Sequence, residues 1–411
     1  MNEQLRKDAD RIVKESLFEV MPDEAVKRAL VDFHPGNGKV ILVAAGKAAW
    51  QMAYAASQAL SHYDGGIVIT KYEHVKGKIT GLICMEAGHP VPDENSFEAA
   101  KRALSIVEPL GEEDSVLFLL SGGGSALFES PLIPGEELQD VTRQLLACGA
   151  DIVEMNTIRK RLSGIKGGRF AVAAAPAKVF SIVLSDIVGD PLDMIASGPA
   201  YPDSSTCAQA LEIADRYKLN LSDAAKSLLG KETPKELTNV TTRITGSVRE
   251  LCKAAADSCK RIGYEPVFLT DELVGEAREA GSFLSSIARS HVKDGKMCAF
   301  IAGGETIVHL RGKGKGGRNQ ELALSASLGL DGLNNIALFS LGSDGTDGPT
   351  DAAGGYVDSD TVNDLKEKGL DPRAYLDDND AYNALKAVNG LIFTGPTGTN
   401  VNDVSVLLIR T

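Results

Sequence analysis

Short apolar runs alternate with longer stretches of helical periodicity along most of the chain. In the first half, Lys39–Ala45, Gly66–Thr70, Gly81–Met85, Val116–Leu120 and Lys178–Leu184 predict strands. Val240–Thr245, Glu265–Leu269, Lys296–Ala302, Ile336–Leu341 and Val404–Ile409 do so in the second, and the alternation of Thr306–Arg311 predicts one short strand more. The run Val116-Leu117-Phe118-Leu119-Leu120 has no polar position, as a strand covered on both faces of a parallel sheet requires. Helical spacing marks Asp8–Leu30, punctuated at Pro22-Asp23, then Glu94–Val107, Gly135–Ile152, the mostly polar Ser204–Lys231, Glu272–Val292 and Asn319–Leu328. Such alternation predicts an α/β protein with largely parallel sheets. Lys231–Asn239, polar and proline-containing, is the candidate linker between two domains, 1–235 and 236–411.

The central apolar run stops at Ser121-Gly122-Gly123-Gly124-Ser125. Successive glycines turn tightly and present bare N–H groups to an anion, and a helix starting near Ser125 would add its positive end. A tight connection that binds nothing is the plainer alternative.

Composition narrows the partners. A net charge of −13 argues against nucleic acid or an anionic membrane, so basic residues beside glycine turns carry more meaning. Six scattered cysteines lack any Cys-x-x-Cys, and six histidines form no HExxH, which leaves no sign of a zinc site. A charged amino terminus without an apolar h-region, and no apolar run of membrane-spanning length, predict a cytoplasmic protein.

Ligands in open α/β sheets bind beyond the carboxyl ends of the strands. Lys47, His89, the triple glycine, Asp186 and Asp190 all follow predicted strands, as do Lys313–Arg318 and Asp344–Asp351. Lys47 could neutralise charge moving between oxygens, or be a solvated lysine at a helix start. Arg159, Lys160, Arg161 and Lys166 could bind phosphate or a carboxylate, or form one solvated helix face. Asp186 and Asp190 could hold a magnesium ion, or serve as turn and cap residues. Gly312–Gly317 formally matches GxGxxG, but its two lysines suit a phosphate chain better than a dinucleotide.

The motifs GKAA (46–49), GHPVPD (88–93), SGGGSAL (121–127), IRKRLSGIKGGR (158–169), SDIVGDPLDMIASGPAYPD (185–203), GGRNQELAL (316–324) and GSDGTDGPTDAAGG (342–355) occur in this order. Together they resemble the class II glycerate kinases, whose carboxyl-terminal part is the MOFRL domain, here about 297–408. The resemblance implies a Rossmann-like amino-terminal domain, a smaller α/β domain and an active site in the cleft between them. It also implies phosphorylation of D-glycerate at the 2-hydroxyl by ATP, with Mg²⁺ or another divalent cation. On its terms Lys47 and Arg318 are catalytic, and the reading of the residues themselves adds Asp186 to them. From their positions in the sequence, Ser121, Gly122, Gly123, Gly124, Ser125, Lys313 and Lys315 are the candidates for nucleotide phosphates, His89, Arg159 and Lys166 for substrate, and Asp190 and Asp344 for the metal. A monomer or homodimer is expected, with neither nucleic acid nor membrane as partner. An NAD(P)H-dependent hydroxypyruvate reductase and a non-catalytic sugar-acid or nucleotide-binding protein are the alternatives.

Overall fold

The computed structural model describes residues 1–410, which fall into two compact units, each an α/β layer structure. One comprises Pro22–Ser185 and Asp190–Thr245; the other Met1–Met21, Asp186–Gly189 and Gly246–Thr411. The strand Val240–Gly246, which the expected division at 235/236 assigns to the second domain, belongs to the first sheet, and the first unit runs to Thr245. The first helix, Glu3–Glu19, groups instead with the carboxyl-terminal residues. Its buried face of Leu5, Ala9, Ile12, Val13 and Leu17 joins the core of Val248, Leu251, Phe339 and Val406, so its apolar stripe is satisfied there.

The amino-terminal sheet has strands β1 (Val40–Ala45), β2 (Gly65–Lys71), β3 (Leu82–Ala87), β4 (Ser115–Leu120), β5 (Lys178–Leu184) and β6 (Val240–Gly246), in the order β3-β2-β1-β4-β5-β6. Pairing is parallel from β3 through β5. Every residue of β1 and β4 is buried, which accounts for their unbroken apolar character. Helices cover the sheet; Ala49–Ala59 lays Met52, Ala53 and Ala56 against Leu42, Ala44 and Val68. The segment expected as one helix over Gly135–Ile152 forms a helix Gly135–Ala147 and a second, Ile152–Arg161, started by an Asp151–Glu154 capping box.

In the carboxyl-terminal unit, β7 (Glu265–Leu273), β8 (Cys298–Gly304), β9 (Ile336–Gly342), β10 (Gly354–Asp358), β11 (Leu391–Ile392) and β12 (Asp403–Ile409) run in the order β11-β10-β9-β12-β8-β7. Only β7 and β8 pair in parallel; β12 is inserted antiparallel between β8 and β9, and β10 and β11 extend the antiparallel part. The expectation of largely parallel sheets therefore holds for the first unit and not for the second. The last strand returns through the middle of its sheet, which strand–helix alternation alone does not reveal. Thr306–Arg311, expected as a strand, makes only an isolated bridge from Ile307 to Glu276. No helix among the described residues is long and apolar enough to cross a membrane.

Candidate active site

Strand order reverses between β1 and β4, because the chain runs outward to β3 on one side and to β5 and β6 on the other. A crevice opens beyond the carboxyl ends at such a point. Gly46-Lys47 leaves β1 there and Ser121–Gly124 leaves β4. The two turns are stitched together: Lys47 N–H donates to the Gly122 carbonyl at 2.9 Å, and Ala48 N–H to Ser121 Oγ at 3.0 Å. Gly46 sits at φ +127°, where a Cβ would stand 2.2 Å from Ser121 Oγ, so only glycine allows this approach.

Gly123 is left-handed at φ +84°, and a Cβ on it would meet Lys47 Cγ at 3.0 Å and His89 Cδ2 at 3.1 Å. The exposed Lys47 and half-buried His89 therefore flank one glycine. Burial, followed by the charges of Lys47, Lys71 and His74, holds the His89 imidazole below its usual range, which favours the neutral ring. The amides of Gly122, Gly123, Gly124 and Ser125 donate to no acceptor among the described residues. The helix that follows spans only Gly124–Leu127. Its dipole adds little, and the anion-binding capacity of the turn rests on these free amides.

Behind the turn lies the basic run, which is not a solvated helix face. Lys166 is fully buried and its Nζ donates to the carbonyls of Ser125 (2.8 Å) and Phe128 (3.1 Å), with the buried Glu129 carboxylate at 3.2 Å. Burial lowers its pKa to about 8, against the attraction of Glu129. Arg159 donates from Nη2 to the same Ser125 carbonyl at 2.9 Å and lies 3.7 Å from Glu129. Lys160 and Arg161 are buried on Asp203, at 3.0 and 3.8 Å. Arg159 and Lys166 thus clamp the backbone that presents the glycine turn.

Three residues around the turn are not singled out by the sequence, although Ser197 lies within the 185–203 motif. Glu129 is one. Ser197, whose Oγ lies 2.9 Å from Ser125 Oγ, and Asn156, which accepts from Ser197 at 2.8 Å, are the others. Ala196 and Ser197 are held at φ +50° and +62°, and a Cβ on Gly124 would stand 2.6 Å from Ala196 Cβ. Non-glycine residues in this region are strained, a recurring property of functional loops. Asp186 and Asp190 follow β5, but Asp186 groups with the carboxyl-terminal unit while Asp190, left-handed at φ +50°, groups with the amino-terminal one.

In the carboxyl-terminal unit, Arg318 is the first residue of the helix Arg318–Leu330. Its guanidinium binds Asp403 through Nε (2.5 Å) and Nη2 (2.9 Å), and Glu305 through Nη1 (2.8 Å). Asp403 is the register partner of Gly304 and Gly342, so it lies at the carboxyl ends of β8 and β9. A Cβ on Gly342 would stand 3.4 Å from an oxygen of Asp344 and 3.4 Å from one of Asp403, which puts Asp344 beside the same cluster. Buried Asp347 accepts from the N–H groups of Asn319 (3.1 Å) and Gln320 (2.8 Å), serving the helix start. Burial raises its pKa to about 6 despite those bonds.

The glycine–lysine loop before this helix differs from the open turn of the first unit. The N–H groups of Gly312 and Lys313 donate to the side chains of Asn379 and Asp378, and those of Gly314 and Lys315 to the Asp378 carbonyl and the Asp380 side chain. Lys315 Nζ stands 4.2 Å above the Tyr382 ring. Any anion held here would meet the lysine side chains and not those four amides.

Residues 8–230 match a family described as a domain of unknown function (DUF4147), and 298–403 match the MOFRL family. A D-glycerate 2-kinase from Thermotoga maritima is 52% identical over 414 residues, covering 99% of both chains. A glycerate 2-kinase from Pyrococcus horikoshii is 41% identical over 390 residues, 91% of this chain and 88% of the relative. The crystal structure of a glycerate kinase from Thermotoga maritima superposes with a TM-score of 0.95 at 50% identity, covering 100% of each chain.

Proposed function

The chain belongs to the glycerate kinase family with a carboxyl-terminal MOFRL domain, and on that premise we propose that it phosphorylates D-glycerate at the 2-hydroxyl with ATP. In this reaction the 2-oxygen attacks the γ-phosphorus, the bond to the β–γ bridging oxygen breaks, the hydroxyl proton passes to a base, and ADP leaves. Phosphoryl transfer asks the protein mainly for positioning and charge stabilisation. The observation that carries the reading is the row of free amides at Gly122–Ser125 with Lys47 stitched alongside, at the point where strand order reverses.

In this reading the amides hold phosphate oxygens, and Lys47 stabilises the charge that develops during transfer. His89, beside Gly123, faces the substrate as a neutral group. Arg159 and Lys166 serve by holding the Ser125 carbonyl. Arg318, fixed on two carboxylates, is the catalytic cation of the carboxyl-terminal unit, with Lys313 and Lys315 as further phosphate contacts. Asp186, which follows the strand next to β4, is assigned to the hydroxyl proton.

No group of three or more His, Cys, Asp or Glu side chains that could hold a metal lies among the described residues. Magnesium in phosphoryl transfer commonly takes one or two carboxylates and completes its shell with phosphate and water oxygens. Asp344, beside the end of β9, offers hard oxygens of that kind in the carboxyl-terminal unit, as Asp190 does in the amino-terminal one. A divalent cation arriving with ATP would neutralise charge on the phosphoryl oxygens. We place the reaction in the cytoplasm, where ATP is available.

Chromatographic measurement of ADP released with and without D-glycerate tests the proposal. Glycerate-dependent ADP is expected, and no oxidation of NADH or NADPH by hydroxypyruvate. The reverse pattern would establish the reductase instead.

A further inference from the structure

Ser125 ends a buried chain of hydrogen bonds whose direction is fixed by its far end. Asn156 is 2% exposed and Ser197 fully buried. The Asn156 amide nitrogen faces Met194 Sδ at 3.4 Å, which leaves its carbonyl oxygen for Ser197 Oγ at 2.8 Å. An amide oxygen only accepts, so the single Ser197 proton points to Asn156. The 2.9 Å bond between the two serines must then use the proton of Ser125. With that proton committed inward, the half-buried Ser125 Oγ turns only lone pairs towards a ligand.

This direction separates the serine hydroxyl from its own amide. Phosphate oxygens accept hydrogen bonds and can use the Ser125 N–H, but the hydroxyl has nothing left to give them. A group that meets Ser125 Oγ has to be a hydrogen-bond donor or a cation, and among the groups of the acceptor substrate only a hydroxyl qualifies. D-glycerate offers two hydroxyls, and the one that reacts loses its proton. A proton passed along Ser125 and Ser197 would end on the Asn156 amide, which is no base at neutral pH. The chain is therefore suited to a hydroxyl that keeps its proton.

We propose that Ser125 Oγ accepts the hydrogen bond of the 3-hydroxyl of D-glycerate, and that Ser197 and Asn156 are positioning residues that hold it in the accepting state. The inference rests on the kinase reading above and adds to it a determinant of substrate choice. The left-handed pair Ala196-Ser197 is what sets the Ser197 hydroxyl between its two partners.

D-lactate is D-glycerate with the 3-hydroxyl replaced by hydrogen, and it serves as the probe. Steady-state kinetics of Ser125→Ala and Ser197→Ala should be compared with the unsubstituted enzyme, with D-lactate as competitor. The expected result for Ser125→Ala is about a tenfold fall in kcat/KM for D-glycerate, carried mainly by KM. The inhibition constant of D-lactate and the KM for ATP should stay within about twofold, since neither ligand uses the bond that is lost. Ser197→Ala, which frees the Ser125 hydroxyl to rotate, should shift KM in the same direction by less; it carries the test alone if Ser125→Ala does not fold. A parallel rise in the D-lactate constant, a raised KM for ATP, or unchanged glycerate kinetics would overturn the inference. Absence of glycerate-dependent ADP release from the unsubstituted enzyme would instead refute the kinase reading itself.

Discussion

Arg318 straddles the carboxylate of Asp403, with Nε on one oxygen at 2.5 Å and Nη2 on the other at 2.9 Å. Such two-point pairing fixes the plane of the guanidinium as well as its position. Asp403 is nearly fully buried, and burial lifts its pKa even though Arg318 pulls it down. Asp403→Asn keeps the shape but gives up one acceptor and the charge. We expect a loss of about 2 kcal/mol in urea unfolding, together with a fall in kcat that Arg318→Ala reproduces. Full activity of both variants would make the pair a purely structural feature.

Lys47 is held by its backbone to Gly122, and its side chain passes Gly123. A cation placed for the transition state binds it more strongly than the ground state. Lys47→Ala is therefore expected to lower kcat about a hundredfold or more, with a small change in the KM for D-glycerate. A near-normal kcat would mean that Lys47 is a solvated residue at a helix start.

Gly123 combines a left-handed backbone with crowding by Lys47 and His89. Gly123→Ala adds strain of about 1 kcal/mol and pushes both side chains. A modest drop in melting temperature with a large drop in activity is expected. Equal retention of both would show that the turn tolerates a Cβ and can be rebuilt elsewhere.

Asp347 gives a pH dependence whose sign follows from its raised pKa of about 6, against the ordinary 3.8. Below 3.8 the carboxyl is protonated in both folded and unfolded chains. Above that the unfolded chain releases its proton first, so the folded state binds more protons and stability falls as pH rises towards 6. The contribution amounts to roughly 3 kcal/mol for a shift of about two units. Asp347→Asn, which cannot ionise, should lose this decline in urea titrations between about pH 4 and 6. An unchanged slope in the variant would place the effect on another group.

Much of this arrangement is legible along the chain because it is local. The strand Val116–Leu120 and its glycine stop, Lys47 after β1, and Arg318 at a helix start are each written in consecutive residues. What is missed is tertiary. The stretch from Arg159 to Lys166 reads as basic, and nothing in its spacing tells that Glu129, Asp203 and the backbone carbonyls of Ser125 and Phe128 would take it inside. Asp403 looks like an ordinary residue before the last strand; its importance follows from β12 being threaded between β8 and β9. Ser197 and Asn156 gain meaning only through Ser125. The short strands β10 and β11 escape because Gly354-Gly355 reads as loop and Leu391-Ile392 is too brief to show a period.

The proposed reaction transfers phosphate from ATP to the 2-hydroxyl of D-glycerate. Phosphorus NMR of the product formed from D-glycerate, ATP and Mg²⁺ tests it directly, because the proton splitting of the phosphorus signal distinguishes the two positions. Phosphate on C2 has one neighbouring carbon-bound proton and should give a doublet that appears as ADP accumulates. A triplet from phosphate on C3, or ADP with free inorganic phosphate alone, would rule out transfer to the 2-hydroxyl.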